Sequence, residues 1–434
     1  MSPRWRRLLA SLLPLTLLTL GSAYALASWN WCGRWSEQAP VLLGQARAEG
    51  PLRAGAAKVP LAPPFPVVVA GYSPPRPDAS QADPMPQARA VVLASGEMKV
   101  GLVSLELLLV PEELVAAVRE RAADLGLQGV VVVATHAHSS FGGYDPRLVS
   151  QLAGTGRFRK AALEAAVAGA SEALHQAAAR LTEVTLEVGE AREPGLVRTR
   201  SGGEEPDGAL TRAVLRGGQG PVAELLVFTA HPTLVPRNQA SVDPDWPGRV
   251  SLLREEKGGV TLVLQGMVGN VSVSFDEGEG LEKVRAYART VAGLAERAEP
   301  AAVEVARLGF ARAQVALPRP DASRLVPSYS RAAGDNFLCA SSSRTAEVGA
   351  LAVGPLELLM LPGEPTVGAG SLLVRRTGAT GVLGLADGYV GYVETPERVE
   401  AREGEARRQY FGPALLDRLG TGAELAAQAA GFTR

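Results

Sequence analysis

Cysteine is nearly missing from this chain of 434 residues, with Cys32 and Cys339 the only two. At most one disulfide can form, and spacing alone leaves open whether they pair in an oxidising compartment or stay as two thiols. A surplus of charge is also missing, since 44 basic and 45 acidic residues leave a formal net charge of −1. They are spread along the chain with no basic stripe to neutralise phosphates, which excludes nucleic acid as a partner. Gly368-Ala369-Gly370 and the other glycine pairs complete no phosphate-binding loop, so nucleotide binding has no motif behind it. No Gly-x-Ser-x-Gly elbow is present, and Ser272 sits in Asn-Val-Ser-Val-Ser, a poor setting for a serine nucleophile. No internal repeat shows, and one alanine-rich helical stretch is the only biased segment.

The composition, 46% hydrophobic and 21% charged, is that of a globular protein with a large core. Arg4, Arg6 and Arg7 precede a run from Leu8 to Leu20 interrupted only by Ser11, Pro14, Thr16 and Thr19, and Ala23, Ala25 and Ala27 follow at peptidase-like spacing. Residues 1–27 thus read as an export signal, which places the chain in the periplasm or outside the cell. Trp29, Trp31 and Trp35 would suit an interfacial belt, so an uncleaved membrane anchor stays open as the alternative. Cys32 lacks the preceding residues of a lipoprotein signal. Residues 28–50 read as a linker and 51–434 as one domain.

Pro60 to Pro86 is proline-rich around Ala70-Gly71-Tyr72 and predicts a long ordered loop of the kind that covers active sites. Beyond it, Val91–Leu93, Val100–Leu109, Val130–Ala134, Leu225–Thr229, Val260–Leu264, Leu356–Leu361 and Gly381–Leu385 read as buried strands. Pro111–Leu125, Arg159–Leu181, Glu282–Ala298 and Val367–Thr377 read as helices. The alternation predicts an α/β fold, a mixed and largely parallel sheet with flanking helices.

Of four histidines, three follow predicted strands directly: His136 and His138 in Thr135-His136-Ala137-His138, and His231 in Ala230-His231-Pro232-Thr233. Ligands of α/β sheets bind beyond the carboxyl ends of strands, so this placement points to a site. A single strand-end histidine would be an ordinary loop residue; three together are not. His175 lies within a predicted helix and reads as solvent-facing. Histidines two apart in an extended segment share a side, and one can bind a metal while the other handles protons. A catalytic zinc takes three or four protein ligands and keeps one position open. Glu364, in the turn Leu361-Pro362-Gly363-Glu364-Pro365-Thr366, is a further candidate ligand, although such a carboxylate is equally at home near a helix N-terminus. Tyr392, after the last predicted strand, reads as well as packing.

The string Thr135 to Tyr144 resembles the Thr-His-Thr-His-Ser-Gly-Pro-Gly-Gly of the neutral ceramidase family. His231-Pro-Thr with Asn238, Ser241 and Asp245-Trp-Pro-Gly248 is similar to a second family stretch, and Gly269-Asn270-Val271-Ser272 to a third. Pro362-Gly363-Glu364-Pro365-Thr366 and Gly391-Tyr392-Val393-Glu394-Thr395 resemble its Pro-Gly-Glu-x-Thr and Gly-Tyr-Val-Thr-Thr. The five occur in the family's order between Ala54 and Gly412.

The resemblance implies one zinc ion per chain held by His136, His231, Glu364 and Tyr392, with His138 beside it as acid or base. Arg200, in Thr199-Arg200-Ser201, and Ser272 are implied to line the substrate site. The implied activity is cleavage of an amide bond in an N-acylated, lipid-like substrate by metal-activated water, with association at a membrane surface as a further expectation. An esterase or peptidase built on the same metal, and a non-catalytic lipid- or partner-binding member, are the alternatives. The sequence departs from the family pattern at several places: Ser140 and Phe141 replace its Gly-Pro, and its loop after Asn-Arg-Ser is much shortened. Gly404 stands where the family has an oxyanion-binding tyrosine, Asn270 replaces an acid, and the family's carboxyl-terminal immunoglobulin-like domain has no counterpart before Arg434.

Overall fold

A computed structural model describes residues 14–25, 32–33, 35, 37–73, 76–305, 307–325 and 331–433. Of the expected export segment, 14–25 is helical; Arg4, Arg6, Arg7, Ala27, Trp29 and Trp31 lie outside the described residues. No helix among the described residues is long and apolar enough to cross a membrane.

Three five-stranded sheets make up the molecule, and each is laid down along the same chain path. In the first, Arg53–Pro60, Gln87–Ser95 and Met98–Leu105 run antiparallel. Helix Glu112–Arg121 then crosses to Gly129–Ala134, parallel to the strand before it, and helix Lys160–Ala178 returns over the sheet. The second sheet repeats this with Thr185–Arg192, Ala209–Gly217, Gly220–Phe228, helix Asp245–Glu255, Val260–Leu264 and helix Gly280–Arg297. The third does so with Leu308–Ala316, Thr345–Val353, Leu356–Met360, helix Val367–Thr377, Gly381–Leu383 and helix Ala414–Ala430. A fifth strand borders the first strand of each sheet: Thr182–Glu183, Ala301–Val303 and Val41–Ala48 respectively. The segment expected as a linker therefore supplies an edge strand through residues 41–48.

The α/β class holds, but the sheets are mixed and not largely parallel: each has one parallel pairing and three antiparallel ones. The reason lies in how the sheets pack. Leu93, Leu102 and Val131 of the first sheet, Leu186, Leu215 and Leu225 of the second and Phe310, Leu351 and Leu358 of the third meet in one central core. The other face of each sheet is covered by its own helices, as Val92, Val103 and Val132 are by Leu114, Val118, Ala170 and Leu174. Antiparallel strands buried on both faces then carry the continuous apolar runs usually left to parallel ones.

One residue type marks the repeated path. Gly55, Gly189 and Gly309 each lie on the first strand of their sheet. A β-carbon there would come within 2.2 Å of the Ala177 carbonyl, 2.5 Å of the Glu299 carbonyl and 2.0 Å of the Ala430 carbonyl. All three carbonyls belong to the carboxyl end of the unit's second helix or the residues just past it. Backbone-on-backbone contact at that point requires glycine, because any side chain would displace the helix.

Candidate metal centre

The parallel strand pairs of the three sheets bring their carboxyl ends together, and the sequence-predicted residues sit there. Beyond Gly129–Ala134 the amides of Thr135 and Ala137 still bond to Leu105 and Leu107, while His136 between them takes a left-handed φ of 67°. That conformation is uncommon for a residue with a side chain and is found where surrounding structure imposes it for function.

All three histidines are held in the same way. His136 Nδ1 bonds to the Leu108 carbonyl at 2.7 Å, His138 Nδ1 to the Gly71 carbonyl at 2.8 Å and His231 Nδ1 to the Val271 carbonyl at 2.9 Å. A carbonyl only accepts, so each Nδ1 carries the proton and each Nε2 keeps a lone pair, the tautomer that metal-binding histidines adopt. The Nε2 atoms of His136 and His138 are 3.1 Å apart, and one ligand atom from each of the three rings lies within 4.8 Å of the others. Glu364 Oε2 is 3.3 Å from His136 Nε2 and 3.2 Å from His231 Nε2. Those contacts are close but are not hydrogen bonds, since neither nitrogen has a hydrogen to give; His231 Nε2 and Glu364 Oε2 are both buried without a partner. Lone pairs converging on one point repel each other unless a cation lies among them. His136, His138 and His231 thus form a group that could hold a metal ion, with Glu364 turned toward the same point.

Glu364 and Tyr392 are register partners in a short parallel pairing, which sets their side chains on one side. Tyr389 donates to Glu364 Oε1 at 2.6 Å, and Tyr392 accepts from Arg200 at 2.9 Å. Arg200 is fixed in turn by Glu405 at 2.8 Å and the Gly269 carbonyl at 2.8 Å. Burial pushes the Glu364 carboxyl up, whereas positive charge facing it from the side of His136 and His231 holds it well below the usual carboxylate range. Burial lowers His231 to about 4 and takes His138 well below its ordinary value, so both rings stay neutral near pH 7. Burial and then Glu364 raise the Tyr392 phenol, against the pull of Arg200.

A cavity of about 970 Å³ opens over this point. His136, His138, Glu364, Tyr392 and Arg200 line it, as do Gly71, Tyr72 and Ser73 of the long loop, in keeping with the covering role expected of that loop. Ser272 does not line it; it is half-buried in the short strand Val271–Val273, opposite Arg198. His175 stands apart on its helix, bonded to Asp124. Sequence reasoning missed Tyr389 and Glu405. Tyr389 shares its Gly-Tyr-Val setting with Tyr392 three residues on, a signal that was available; Glu405 had none.

Residues 62–201 match the family model described as neutral/alkaline non-lysosomal ceramidase, N-terminal. That stretch of the chain is similar to the neutral/alkaline ceramidases. Two solved structures share its fold. Neutral ceramidase from Pseudomonas aeruginosa matches with a TM-score of 0.74 and 21% identity, over 88% of this chain and 74% of that one. A ceramidase complexed with C2 matches with a TM-score of 0.76 and 20% identity, over 88% and 75%. No curated protein sequence matches the chain.

Two departures from the ceramidase pattern have local causes. Gly404 has a φ of 58°, and a β-carbon there would lie 2.4 Å from Arg398 and 2.6 Å from Glu394, so no side chain fits while that ion pair stands. Asn270 accepts from the Val367 amide at 2.9 Å and donates to Thr199 Oγ1 and the Gly202 carbonyl, both at 3.3 Å. A carboxylate could not make the two donating bonds.

Proposed function

We propose that this ceramidase-like hydrolase uses one zinc ion per chain to cleave the amide bond of an N-acylated, lipid-like substrate. The observation that carries the reading is the convergence of the His136 and His231 Nε2 lone pairs and the Glu364 carboxylate at the floor of a cavity, with His138 Nε2 beside them, in a chain similar to this family and of its fold. Imidazole and carboxylate donors suit zinc better than the harder or softer metals. When bound, zinc would polarise the scissile carbonyl and lower the pKa of water at the site.

The chain's own residues supply the rest. His138, neutral and held by Gly71, is free at Nε2 to take a proton from water and pass it to the leaving nitrogen. Arg200, aimed by Glu405, offers a donor to an oxygen that gains charge, in place of the missing tyrosine at 404, and Tyr392 would join His136, His231 and Glu364 in holding the zinc. Tyr389 holds Glu364 in position. Leu108, Val149, Leu234, Val235 and Val390 give the cavity apolar wall for an acyl chain, and its volume is that of a small-molecule site. The Cys32–Cys339 disulfide suits an exported protein working in an oxidising compartment.

Metal analysis of the purified protein beside a Glu364→Ala, His231→Ala double variant tests the centre. About one zinc per wild-type chain, lost in the variant, is expected. No bound metal in either after exposure to zinc would leave a binding protein on a hydrolase fold.

A further inference from the structure

Four arginines are buried among the described residues: Arg76, Arg89, Arg249 and Arg254. Arg89 is paired with Glu106 and Glu255, Arg249 with Asp243 and Arg254 with Glu224. Arg76, only 7% exposed, has no ion pair among the described residues; its Nη2 donates to the Val235 carbonyl at 3.3 Å, and its Nε and Nη1 are buried with no hydrogen-bond partner among them. A buried cation left this way is unfavourable unless something compensates it. Its neighbour makes matters worse. Arg237 lies with its guanidinium 4.0 Å from the centre of the Tyr72 ring, Arg76 lies 4.8 Å from the same centre, and Arg237 has no carboxylate partner among the described residues either. Burial lowers the pKa of Arg76; Tyr72 and then Asp245 pull it back up, and Arg237 lowers it. Asp245 acts on Arg76 through space only, because its oxygens accept the amides of Leu234, Val235 and Trp246 and leave the Arg76 Nε and Nη1 without a hydrogen-bond partner.

Arg237 and Tyr72 line the cavity, and the Tyr72 ring is 5.5 Å from the His138 ring, whose Nδ1 is held by the residue before Tyr72. The positive charge of Arg237 therefore sits on the His138 side of the site, with the guanidinium of Arg76 against the same Tyr72 ring.

We infer that Arg76, Arg237 and Tyr72 form an anion subsite, and that the amine half of the substrate carries a carboxylate or a phosphate. Assignment to the amine half rests on the proposed hydrolysis, in which His138 delivers the proton to the leaving nitrogen; the subsite itself does not. In that reaction water adds to the carbonyl carbon and the carbon–nitrogen bond breaks. A fatty acid leaves on one side and an amine with its own anionic group on the other.

The test separates binding from turnover. N-decanoylglycine, its neutral counterpart N-decanoylglycinamide and N-decanoyl-phosphoethanolamine are titrated into the zinc-loaded protein, with ligand-induced change in melting temperature as the readout. Wild type is compared with Arg76→Met and Arg237→Gln, and with Arg121→Gln, an exposed arginine paired with Glu164 far from the argument. Wild type and Arg121→Gln are expected to bind an anionic ligand at least about 10-fold more tightly than the neutral one, the scale of one charge-assisted contact. Both site variants should lose that preference, and Arg76→Met should melt no lower than wild type without ligand, because it removes buried donors that have no hydrogen-bond partner. The better of the two anionic ligands names the group. Equal affinity for the neutral and both anionic ligands in wild type overturns the proposal, and so does a preference that survives both Arg76→Met and Arg237→Gln. Should Arg76→Met fail to fold, Arg237→Gln alone decides. Release of amine is measured on the same compounds: selective binding without hydrolysis would remove the amidase reading and leave the subsite, whereas hydrolysis without selectivity would do the reverse.

Discussion

His138 is where two readings of the metal centre part. The family pattern makes it the proton carrier beside a zinc held by His136, His231, Glu364 and Tyr392, whereas its Nε2 stands as close to His136 as a third imidazole ligand would. Replacing it separates the roles. Under the family reading, His138→Ala keeps about one zinc per chain and loses about 100-fold or more in kcat, the range of a general acid–base contribution. Metal content falling together with activity would make His138 a ligand. Much of this chemistry was legible in the sequence, because a histidine directly after a buried strand and a Pro-Gly-Glu turn are visible as strings. What was not legible depends on partners far along the chain. Arg76 and Arg237 are single arginines in loops, and only the fold shows that one is buried without a carboxylate and that both lie over Tyr72. Ser272 shows the converse, a residue matched by its motif but placed away from the cavity.

At the scale of elements, the sequence showed strands that bury runs of valine and leucine, and hid both those that alternate and those, such as Leu308–Ala316 and Thr345–Val353, whose buried positions are largely alanine and glycine. Val260–Leu264 and Val367–Thr377 were read with their observed ends. Val41–Ala48 alternates exposed and half-buried residues, and Thr185–Arg192 buries only Leu186, so neither stands out as an apolar run. The shared path of the three units is hidden for another reason: its marker is one glycine per unit, at a different offset in each first strand. The packing argument for those glycines is testable by contrast. Gly55→Ala and Gly309→Ala force a methyl group into a carbonyl and should each lower stability by about 1–3 kcal/mol. Gly293→Ala, inside helix Gly280–Arg297 with open space around it, should raise stability by about 0.5–1 kcal/mol. Urea unfolding of the three variants supplies the numbers, and losses no larger than about 0.5 kcal/mol at both Gly55 and Gly309 would remove the close-approach account.

For the whole molecule, the decisive contact joins its two ends. Val41–Ala48 pairs along Leu308–Ala316, from Val41 opposite Gln314 to Ala48 opposite Leu308, so the amino-terminal segment completes the sheet of the last unit. Arg47 donates to the Ala429 carbonyl at 2.7 Å and also bonds to Gln428, satisfying carbonyls at the end of the final helix. Upstream, Cys32 is joined to Cys339 across 307 residues of chain, and Arg344 donates to the Cys32 carbonyl at 3.1 Å. A linker would be dispensable; an edge strand is not. A protein beginning at residue 51 should expose the backbone of Leu308–Ala316 as a free edge and associate or unfold. One beginning at residue 31 should stay folded and monodisperse. Within that longer form, Cys32→Ser with Cys339→Ser should cost about 2–4 kcal/mol while the fold persists, because the strand remains when the cross-link goes. Size-exclusion chromatography and urea unfolding of the three proteins would distinguish these contributions. If the form beginning at residue 51 matched the longer one in both, the edge strand and the disulfide, both missing from it, would be accessories to a fold that closes without them.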